Sequence, residues 1–447
     1  MEEQLKKTDL LKRKIKNSVT LKAAIITIVA LMLLIPTSFV EDIIRERESY
    51  KNEAIYEVSS KWGGSQTIAG PILSVPYQVV EKTLNDQLET YTYYAHFTPK
   101  ELRTDGDIST ETRHRGIYDI VLYNAGLSIS GTFDRPDFTA FNIRPDSILW
   151  DEAILSIGIP DLTGISQEVN LKWNNQTAGF KSGIPTEDVF YSGIFAPAPL
   201  NDQDKYSFHF NLDLRGSNRL AFVPVGQYTE VNVRSPWKDP SFDGDFLPHE
   251  RTVTDEGFNS QWKVFDLNRN IPNQWTGSRE GLFEHTFGVR LLIPVDEYQK
   301  NLRSTKYALL IIALTFLTFF LSEIIIKKQI HPFQYIFAGL ALVVFYIMMV
   351  SMSEHFGFDI AYIVSAILTG VLIVVYISAA FRNNKFTLAL SAFFTIVYSF
   401  IYVILQLQDF SLLVGSLGLF IALATTMYLT RNIDWYNVGK RPSVDLS

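Results

Sequence analysis

The sequence predicts an α-helical polytopic membrane protein with six transmembrane helices and a large external domain that is antiparallel, β-rich and sandwich-like. Six apolar stretches, each of about 20 residues, carry the first half of this prediction. The second half rests on the long segment between the first and second stretches, where apolar and polar residues alternate with a period of two. Charge supports the division: the 447 residues sum to −7, whereas residues 41–306 alone carry −12.

The six apolar stretches are each long enough to cross the hydrocarbon core of a bilayer, which is about 30 Å thick. They are Leu21–Val40, Tyr307–Ile326, Phe333–Met352, Phe358–Phe381, Phe386–Leu405 and Phe410–Leu429. The first follows a basic tail, as a secretory signal would, but Pro36–Val40 offers no small-x-small cleavage site. We therefore expect an uncleaved signal anchor rather than a cleaved signal peptide.

Basic residues predict the orientation, because short loops rich in Lys and Arg stay in the cytoplasm. They cluster in the N-terminal tail, in the links after the second and fourth stretches, and after the sixth. Alternating spans then place both termini in the cytoplasm and residues 41–306 on the far side of the membrane.

The predicted organisation has six parts. These are a basic cytoplasmic tail (1–20), a signal-anchor helix (21–40), an amphipathic stalk helix (41–62), the β-rich domain (63–306), a five-helix transmembrane bundle (307–429) and a cytoplasmic tail (430–447). The stalk is predicted from apolar residues recurring on one helical face, and Gly63-Gly64 should end it.

Within the β-rich domain, short alternating runs are separated by Gly, Pro, Asn and Asp, which is typical of antiparallel strands and turns. Tyr206–Leu214 is the clearest of these runs. The polar stretch Ser166–Thr186 is expected to be a loop or an irregular hairpin. The pattern fits one large sandwich-like unit or two smaller ones.

Several kinds of chemistry are excluded or disfavoured by composition. The chain has no cysteine, so thiolate metal sites and catalytic thiols are absent. The acidic domain is unsuited to nucleic acid. No two of the seven histidines are spaced as a helical zinc motif, and acids such as Asp243 and Asp245 are expected to be surface groups. We expect no catalytic site, cofactor or metal.

Glu323 is the one acidic residue well inside a predicted span, and an intramembrane carboxylate is costly. It lies four residues before Lys327, so an i,i+4 pair with snorkelling explains it without a transport role. We keep it as a candidate functional residue because a transporter would also require such a group.

Several motifs resemble the CreD family of bacterial inner-membrane proteins, also described as cell envelope integrity proteins. The external block contributes Gly70–Pro76 and Trp237-x-x-Pro240-Ser241-Phe242-x-Gly244-Asp245-Phe246-Leu247-Pro248. The C-terminal region contributes Arg303–Ala308, His331-Pro332-x-Gln334-Tyr335, Ser353-Glu354-His355-x-Gly357-Phe358 and Asn432–Tyr436. The resemblance implies an inner-membrane protein with a periplasmic domain, tied to envelope integrity, colicin tolerance and a two-component stress regulon. It supplies no catalytic residue.

The matching motifs nevertheless provide candidate functional or structural residues. Trp237, Pro240, Phe242, Gly244, Phe246 and Pro248 belong to a segment too rich in Pro, Gly and Asp for a strand, and we expect an ordered loop whose aromatic residues pack inward. Glu354 and His355 should lie in a very short link between two spans.

Three functions are compatible with these features. The preferred one is a non-enzymatic protein that supports envelope integrity through a periplasmic interaction domain, with the bilayer and envelope proteins as partners. The second is a transporter or exporter of a lipid or peptide through the bundle. The third is a membrane-bound hydrolase using His355 or His249. The sequence does not determine the oligomeric state.

Overall fold

The computed structural model describes residues 19–82, 87–279, 281–291, 297–326, 328–407 and 410–433. The chain divides into two compact units: a membrane unit, Met1–Tyr50 with Val295–Ser447, and a β unit, Lys51–Pro294. Most of the two predicted tails, the residue Lys327 and the end of the Asn432–Tyr436 motif lie outside the described residues.

The membrane unit is helical. Its helices are α1 (Val19–Met32), α2 (Leu34–Trp62, which extends into the β unit), α3 (Glu297–Thr305), α4 (Ala308–Ile326), α5 (Pro332–Phe356), α6 (Phe358–Phe381), α7 (Asn384–Gln406) and α8 (Ser411–Thr430). Six helical segments are long and apolar enough to cross a membrane, with α1 and α2 forming one of them. The predicted six transmembrane helices are confirmed within the described residues.

Local sequence fixes the ends of these helices. Pro332 occupies the first position of α5, where its missing N–H costs nothing. The Asn383 side chain accepts hydrogen bonds from the first backbone N–H groups of α7. Gly357, with φ of +79°, is the single residue between α5 and α6, and this left-handed conformation favours glycine.

The described residues of the β unit form 17 strands in two sheets. They are β1 (Gln66–Lys82), β2 (Leu88–Phe97), β3 (Glu101–Arg115), β4 (Tyr118–Asp134), β5 (Ile154–Gly158), β6 (Asn170–Trp173), β7 (Gln176–Gly179), β8 (Lys181–Ser182), β9 (Gly193–Pro197), β10 (Lys205–Ser217), β11 (Arg219–Val223), β12 (Tyr228–Ser235), β13 (Pro240–Gly244), β14 (Glu250–Thr254), β15 (Gly257–Phe265), β16 (Gln274–Thr276) and β17 (Phe287–Leu291).

The nine-stranded sheet has the order β13-β17-β11-β1-β5-β9-β8, with β2 paired to β1 and β16 to β2. The eight-stranded sheet has the order β14-β15-β12-β3-β4-β10-β6-β7. Most pairs are antiparallel, whereas β1 with β11 and β3 with β12 are parallel. The β-rich prediction is confirmed, with these two parallel pairs added to it.

One contiguous hydrophobic core joins the two sheets, so the single large unit is the arrangement present. β1 contributes residues such as Leu73, and β4 and β10 contribute residues such as Ile129 and Leu212 from the other sheet. The alternation read in Tyr206–Leu214 corresponds to β10, whose even-numbered side chains are buried. The stretch Ser166–Thr186 contains the hairpin of β6 and β7.

The expected loop at 237–248 is wrong in part, because Pro240–Gly244 forms the edge strand β13. Proline and glycine are tolerated there, since Pro240 begins the strand and Gly244 ends it with φ of +102°. A side chain at Gly244 would also collide with the Thr286 carbonyl oxygen, 2.0 Å from the position of its Cβ.

Candidate functional site

In the β unit, a buried histidine lies between a buried serine and a partly exposed aspartate. Ser74 on β1 lies directly opposite His96 on β2, and its hydroxyl oxygen is 2.9 Å from Nδ1 of the imidazole. Nε2 of His96 is 3.5 Å from Oδ2 of Asp188. The arrangement suits an imidazole whose Nε2–H faces the carboxylate while Nδ1 accepts the serine hydroxyl hydrogen.

Burial sets the protonation state of this group. Ser74 and His96 are both 0% exposed. Removal from water disfavours the imidazolium, so burial lowers the pKa of His96 to about 4, although the nearby Asp188 carboxylate opposes the change. The centroid of the His96 ring is 5.4 Å from that of Trp275, and the Tyr94 ring stacks on it with a centroid separation of 6.5 Å. His96 is therefore neutral at neutral pH.

Serine hydrolases use the same three residue types, but the geometry here differs from theirs. In a serine protease the imidazole presents Nε2 to the nucleophile and Nδ1 to the carboxylate, and the ring of His96 is reversed. A nucleophile must also meet its substrate, whereas Ser74 is enclosed by the sheet and its neighbours. The three side chains therefore connect β1, β2 and the segment that contains Asp188, which is a structural role.

The aromatic candidates of the 237–248 segment, Trp237, Phe242 and Phe246, pack against the core of the β unit, as expected. Phe242 lies edge-on to Phe258 and Trp262, with ring centroids 5.7 and 5.8 Å away. The carbonyl of Phe246 accepts a hydrogen bond from the Trp262 indole at 3.1 Å. Trp237 is half-buried against the same core, and Pro248 is half-buried just before β14.

The acids of this segment do not converge on one another. Asp243 accepts hydrogen bonds from Arg219 and Arg290, each at 2.9 Å. Asp245 contacts the His285 ring at 2.8 Å. Each carboxylate thus has its own cationic or imidazole partner. Within the described residues, no three His, Asp or Glu side chains come together to hold a metal ion.

In the membrane unit, Glu354 joins three segments of the chain. Its Oε1 accepts a hydrogen bond from the Tyr298 hydroxyl of α3 at 2.9 Å and lies 3.9 Å from Nε of Arg47 in α2. The adjacent Ser353 accepts a hydrogen bond from the fully buried Asn301 at 2.8 Å. Glu354 and His355 were expected in the link between two spans, and this is wrong: they are in the last turn of α5, because Gly357 alone forms the link. His355 is exposed beside Phe356.

Helix α3 is fixed at a second point by Arg303. Its guanidinium donates to the carbonyl of Leu407, 2.8 Å away, at the end of α7. The last carbonyls of a helix have no partner within it, so a cation there satisfies them and complements the helix dipole. α3 is therefore fastened to both α5 and α7 by buried or partly buried polar groups.

Glu323 in α4 pairs with Lys22 of α1. The Lys22 ammonium also donates to the carbonyl of Ile330 at 2.8 Å, and the two side chains are only 22% and 11% exposed. The expected partner Lys327 lies outside the described residues. The intramembrane carboxylate is thus balanced by a cation from a different helix.

Comparison with known proteins places the chain in a family. A family model described as "Inner membrane protein CreD" matches residues 18–436. Inner membrane protein CreD of Escherichia coli (strain K12) is 32% identical over 419 residues, which cover 91% of each chain. The chain belongs to the CreD family. It is accordingly a multi-pass inner-membrane protein of a family that is not named for an enzymatic activity.

Comparison with solved structures adds two low-similarity matches. One is an M1 zinc metallopeptidase from Deinococcus radiodurans bound to a peptide substrate, at 9% identity and a TM-score of 0.20, covering 43% of this chain and 42% of that one. The other is a two-domain M1 zinc metallopeptidase, at 10% identity and a TM-score of 0.18, covering 42% of each chain.

Proposed function

We propose that this CreD-family protein is a non-enzymatic support of cell envelope integrity and of tolerance to envelope stress and colicins. In this proposal a periplasmic β domain interacts with envelope components and is held in the inner membrane by the six-helix bundle. Its partners are the bilayer and other envelope proteins. The observation that carries the non-enzymatic part is enclosure: Ser74 and His96, the groups best suited to chemistry, are both 0% exposed.

The polar contacts of α3 support the proposal that the bundle holds the periplasmic domain in place. α3 follows the β unit in the chain, and it is held by Glu354, Ser353 and the end of α7. A helix fastened at several buried polar points resists displacement, because removing one partner leaves the other buried and unsatisfied. The bundle then serves as a rigid base for the periplasmic domain.

The functional test compares strains that lack the chain with strains that express variants of it. Loss of the chain should sensitise cells to detergent and to colicin, and the wild-type chain should restore tolerance. Ser74→Ala should restore it equally, since a scaffold needs no nucleophile. Loss of tolerance in Ser74→Ala at unchanged protein level would overturn the non-enzymatic proposal. Asp188→Asn, which changes the residue on the other side of His96, should likewise restore tolerance.

The proposed orientation has both termini in the cytoplasm and residues 41–306 in the periplasm, following the distribution of basic residues. Because the chain has no cysteine, single cysteines can be placed at the exposed positions Thr112 and Lys385. A membrane-impermeant maleimide should label Thr112→Cys once the outer membrane is permeabilised. Lys385→Cys should react only after the inner membrane is opened, and the reverse pattern would invert the topology.

A transporter or exporter remains the second candidate, because Glu323 is an intramembrane carboxylate and such groups often mark transport paths. Its pairing with Lys22 weighs against this role, since the pair carries no net charge to couple to a substrate. Purified protein in vesicles should show no lipid or peptide flux. Flux that Glu323→Gln abolishes would favour the transporter.

A further inference from the structure

Strands β1 and β2 continue beyond the strands that flank them. Their outer parts, Tyr77–Lys82 and Leu88–Tyr94, pair with each other as a two-stranded ribbon, which we call the arm. Among the described residues, the only further backbone pairing of the arm is an isolated bridge between Tyr77 and Ile148. A two-stranded ribbon is only marginally stable in water, so a third strand would stabilise it.

One edge of the arm is open along β2. Strand β16 pairs with β2 only at Ala95–Phe97, and it ends at Thr276 because Gly277 turns the chain with φ of +71°. No described strand pairs with Leu88–Tyr93 on this side, and all of these residues are exposed. An incoming strand would therefore continue the line of β16.

The backbone groups at this edge follow from alternation, because successive residues of an antiparallel strand point their N–H and C=O groups to opposite sides. The N–H of Thr98, just after β2, donates to the carbonyl of Asn273 at 3.0 Å, on the β16 side. The even-numbered residues of β2 face the same side. Thr90 and Thr92 thus present their N–H and C=O groups at the open edge.

A contact of β1 gives the same assignment independently. The carbonyl of Pro76 accepts a hydrogen bond from the N–H of Leu149 at 2.9 Å, so it points away from β2. Pro76 lies opposite Tyr94, and the backbone groups of such a pair point away from each other. Tyr94 therefore faces the open edge, and so does Thr92, two residues earlier. A proline at position 92 would remove an edge donor without disturbing the pairing with β1.

This edge is less protected than the other sheet edges. Natural edge strands are commonly short, or carry proline or lysine, which prevents pairing with other chains. Among the described strands at the ends of the two sheets, β7, β8 and β14 have four, two and five residues, and β13 begins with Pro240. β2 has ten residues, of which β16 covers three. Its open part is rich in threonine and tyrosine, which favour strands.

The side chains of the arm indicate which kind of strand fits. One face carries three cross-strand pairs, which are Tyr77 with Tyr93, Val79 with Tyr91, and Glu81 with Glu89. The two carboxylates accept hydrogen bonds from the Tyr93 and Tyr91 hydroxyls, at 2.9 and 2.8 Å respectively. Both tyrosines are 40% exposed. This face thus presents negative charge and aromatic rings, and both attract cations.

The opposite face is largely apolar. It carries threonines and Leu88 on β2 and Val80 on β1, and both apolar side chains are exposed. Lys82, the one basic residue of the arm, is also on this face. Because side chains alternate between faces, a strand beside β2 would place every second side chain next to Glu89 and the others next to Leu88.

We propose that the open edge of β2, from Leu88 to Tyr94, binds an extended segment of an envelope protein in which basic and apolar side chains alternate. The segment adds a strand to the arm, and its basic side chains lie beside Glu89 and the tyrosine rings. A second copy of this chain fits poorly, because two negatively charged faces would meet. The inference rests on the proposed function, in which the β unit interacts with envelope components, and it specifies one partner's chemistry.

The test measures binding of a fluorescent peptide, Lys-Val-Lys-Val-Lys-Val-Lys, to the full chain by fluorescence anisotropy. The chain is held in phosphatidylcholine nanodiscs, because anionic lipid would itself attract this peptide. The peptide should bind saturably, whereas Glu-Val-Glu-Val-Glu-Val-Glu should not bind. The basic peptide with every backbone nitrogen methylated keeps its charge but loses its hydrogen-bond donors, and it should not bind either. Equal binding of the methylated peptide would overturn strand addition.

Thr92→Pro tests the edge itself. It removes one edge N–H and should weaken binding of the basic peptide at least about fivefold. Thr92→Val keeps the N–H and is the matched control, which should bind as the wild-type chain does. Both variants should retain the wild-type midpoint in urea unfolding. Equal affinities of the two variants would overturn the assignment to this edge.

A second pair of variants keeps the test decisive if the proline perturbs folding. Glu81→Gln/Glu89→Gln should weaken binding of the basic peptide about three- to tenfold, as expected for the loss of two exposed ion pairs. Glu168→Gln/Glu256→Gln replaces two exposed acids outside the arm and should bind like the wild-type chain. Equal weakening by the two pairs would show that overall charge attracts the peptide, which contradicts the proposal.

The outcomes for this site and for the proposed function are separable. Peptide binding is measured on purified protein, whereas tolerance is measured in strains that lack or express the chain. Absence of binding together with restored tolerance would overturn this inference alone. Binding by a chain whose loss leaves tolerance unchanged would overturn the proposed function alone. A wild-type dimer in detergent that Thr92→Pro dissociates would assign the edge to a second copy and contradict the proposal.

Discussion

Arg269 in the β unit and Glu323 in the membrane unit are compensated in different ways. In the β unit, Arg269 is 8% exposed, and its guanidinium is surrounded by neutral acceptors. They are the carbonyls of Val225, Gly226 and Ile271 and the side-chain oxygen of Asn273. In the membrane unit, Glu323 is held by the opposite charge of Lys22.

Backbone chemistry explains the difference. Irregular segments between strands leave carbonyls available, so an arginine with five N–H donors can be satisfied without a carboxylate. A helix uses its own carbonyls, and only the last four are open to other donors. Three cations of the membrane unit accordingly reach helix ends or links: Lys22 donates to Ile330, Lys328 to Phe381 and Arg303 to Leu407.

The largest expected effect comes from removing the buried guanidinium. Arg269→Met leaves several acceptors buried without donors, and we expect it to destabilise the β unit by about 3–5 kcal/mol. Burial lowers the pKa of Arg269 to about 10, so the side chain remains charged at neutral pH and its loss is the loss of a cation.

Urea unfolding followed by tryptophan fluorescence measures this effect, because six of the seven tryptophans lie between residues 51 and 294. Arg144→Met, which replaces an exposed arginine, should leave the midpoint almost unchanged. Equal midpoints for the two variants would show that the acceptors around Arg269 find water or other donors.

The second effect concerns pH and again belongs to the β unit. The folded-state pKa of His96 is lowered to about 4 from an ordinary value near 6.5, so the unfolded chain binds the proton first as pH falls. Stability is fully present above about pH 6.5 and is lost progressively towards pH 4, by about 3 kcal/mol in all. Asp188 is the charged group in contact with the ring and limits the loss.

Unfolding midpoints at pH 7 and pH 4.5 test this linkage. His96→Gln should be less stable at pH 7 but should lose less on acidification than the wild-type chain. His209→Gln, in a half-buried position on β10, should retain the wild-type pH dependence. If His96→Gln retains it too, the acid sensitivity arises from carboxylates elsewhere in the unit.

These contacts also explain which features could be predicted from the sequence. The six spans are local signals, because about 20 consecutive apolar residues identify each one. Gly63 ends α2 as predicted, since its φ of +144° and a carbonyl 2.6 Å from its Cβ position leave no room for a side chain. Alternation likewise predicted β10, where one face is buried throughout.

Other features depend on residues that are distant in sequence. Lys22 and Glu323 are 301 positions apart, so the local Lys327 was the only partner that spacing could suggest. Ser74 and His96 meet because β1 pairs with β2, and nothing in their immediate sequence marks the contact. The composition of Pro240–Gly244 argued against a strand, but the edge position imposes fewer hydrogen-bonding demands than an interior one.

The smallest expected effect returns to the membrane unit. A double-mutant cycle tests whether Lys22 stabilises Glu323. Lys22→Met and Glu323→Gln should each destabilise the protein, and the double variant should lose less stability than the two single losses added together. We expect a coupling of about 1 kcal/mol, because polar contacts between membrane helices are typically weak. Unfolding of the micellar protein in increasing SDS measures each term of the cycle.

Lys328→Met is the control for this cycle, because the Lys328 ammonium donates to the carbonyl of Phe381 and not to Glu323. Its combination with Glu323→Gln should be close to additive, because the two side chains have different partners. Additivity for Lys22 as well would mean that the acid and the amine are stabilised independently. Glu323 would then be stabilised without a contribution from an opposite charge, as Arg269 is, and the contrast between these two sites would disappear.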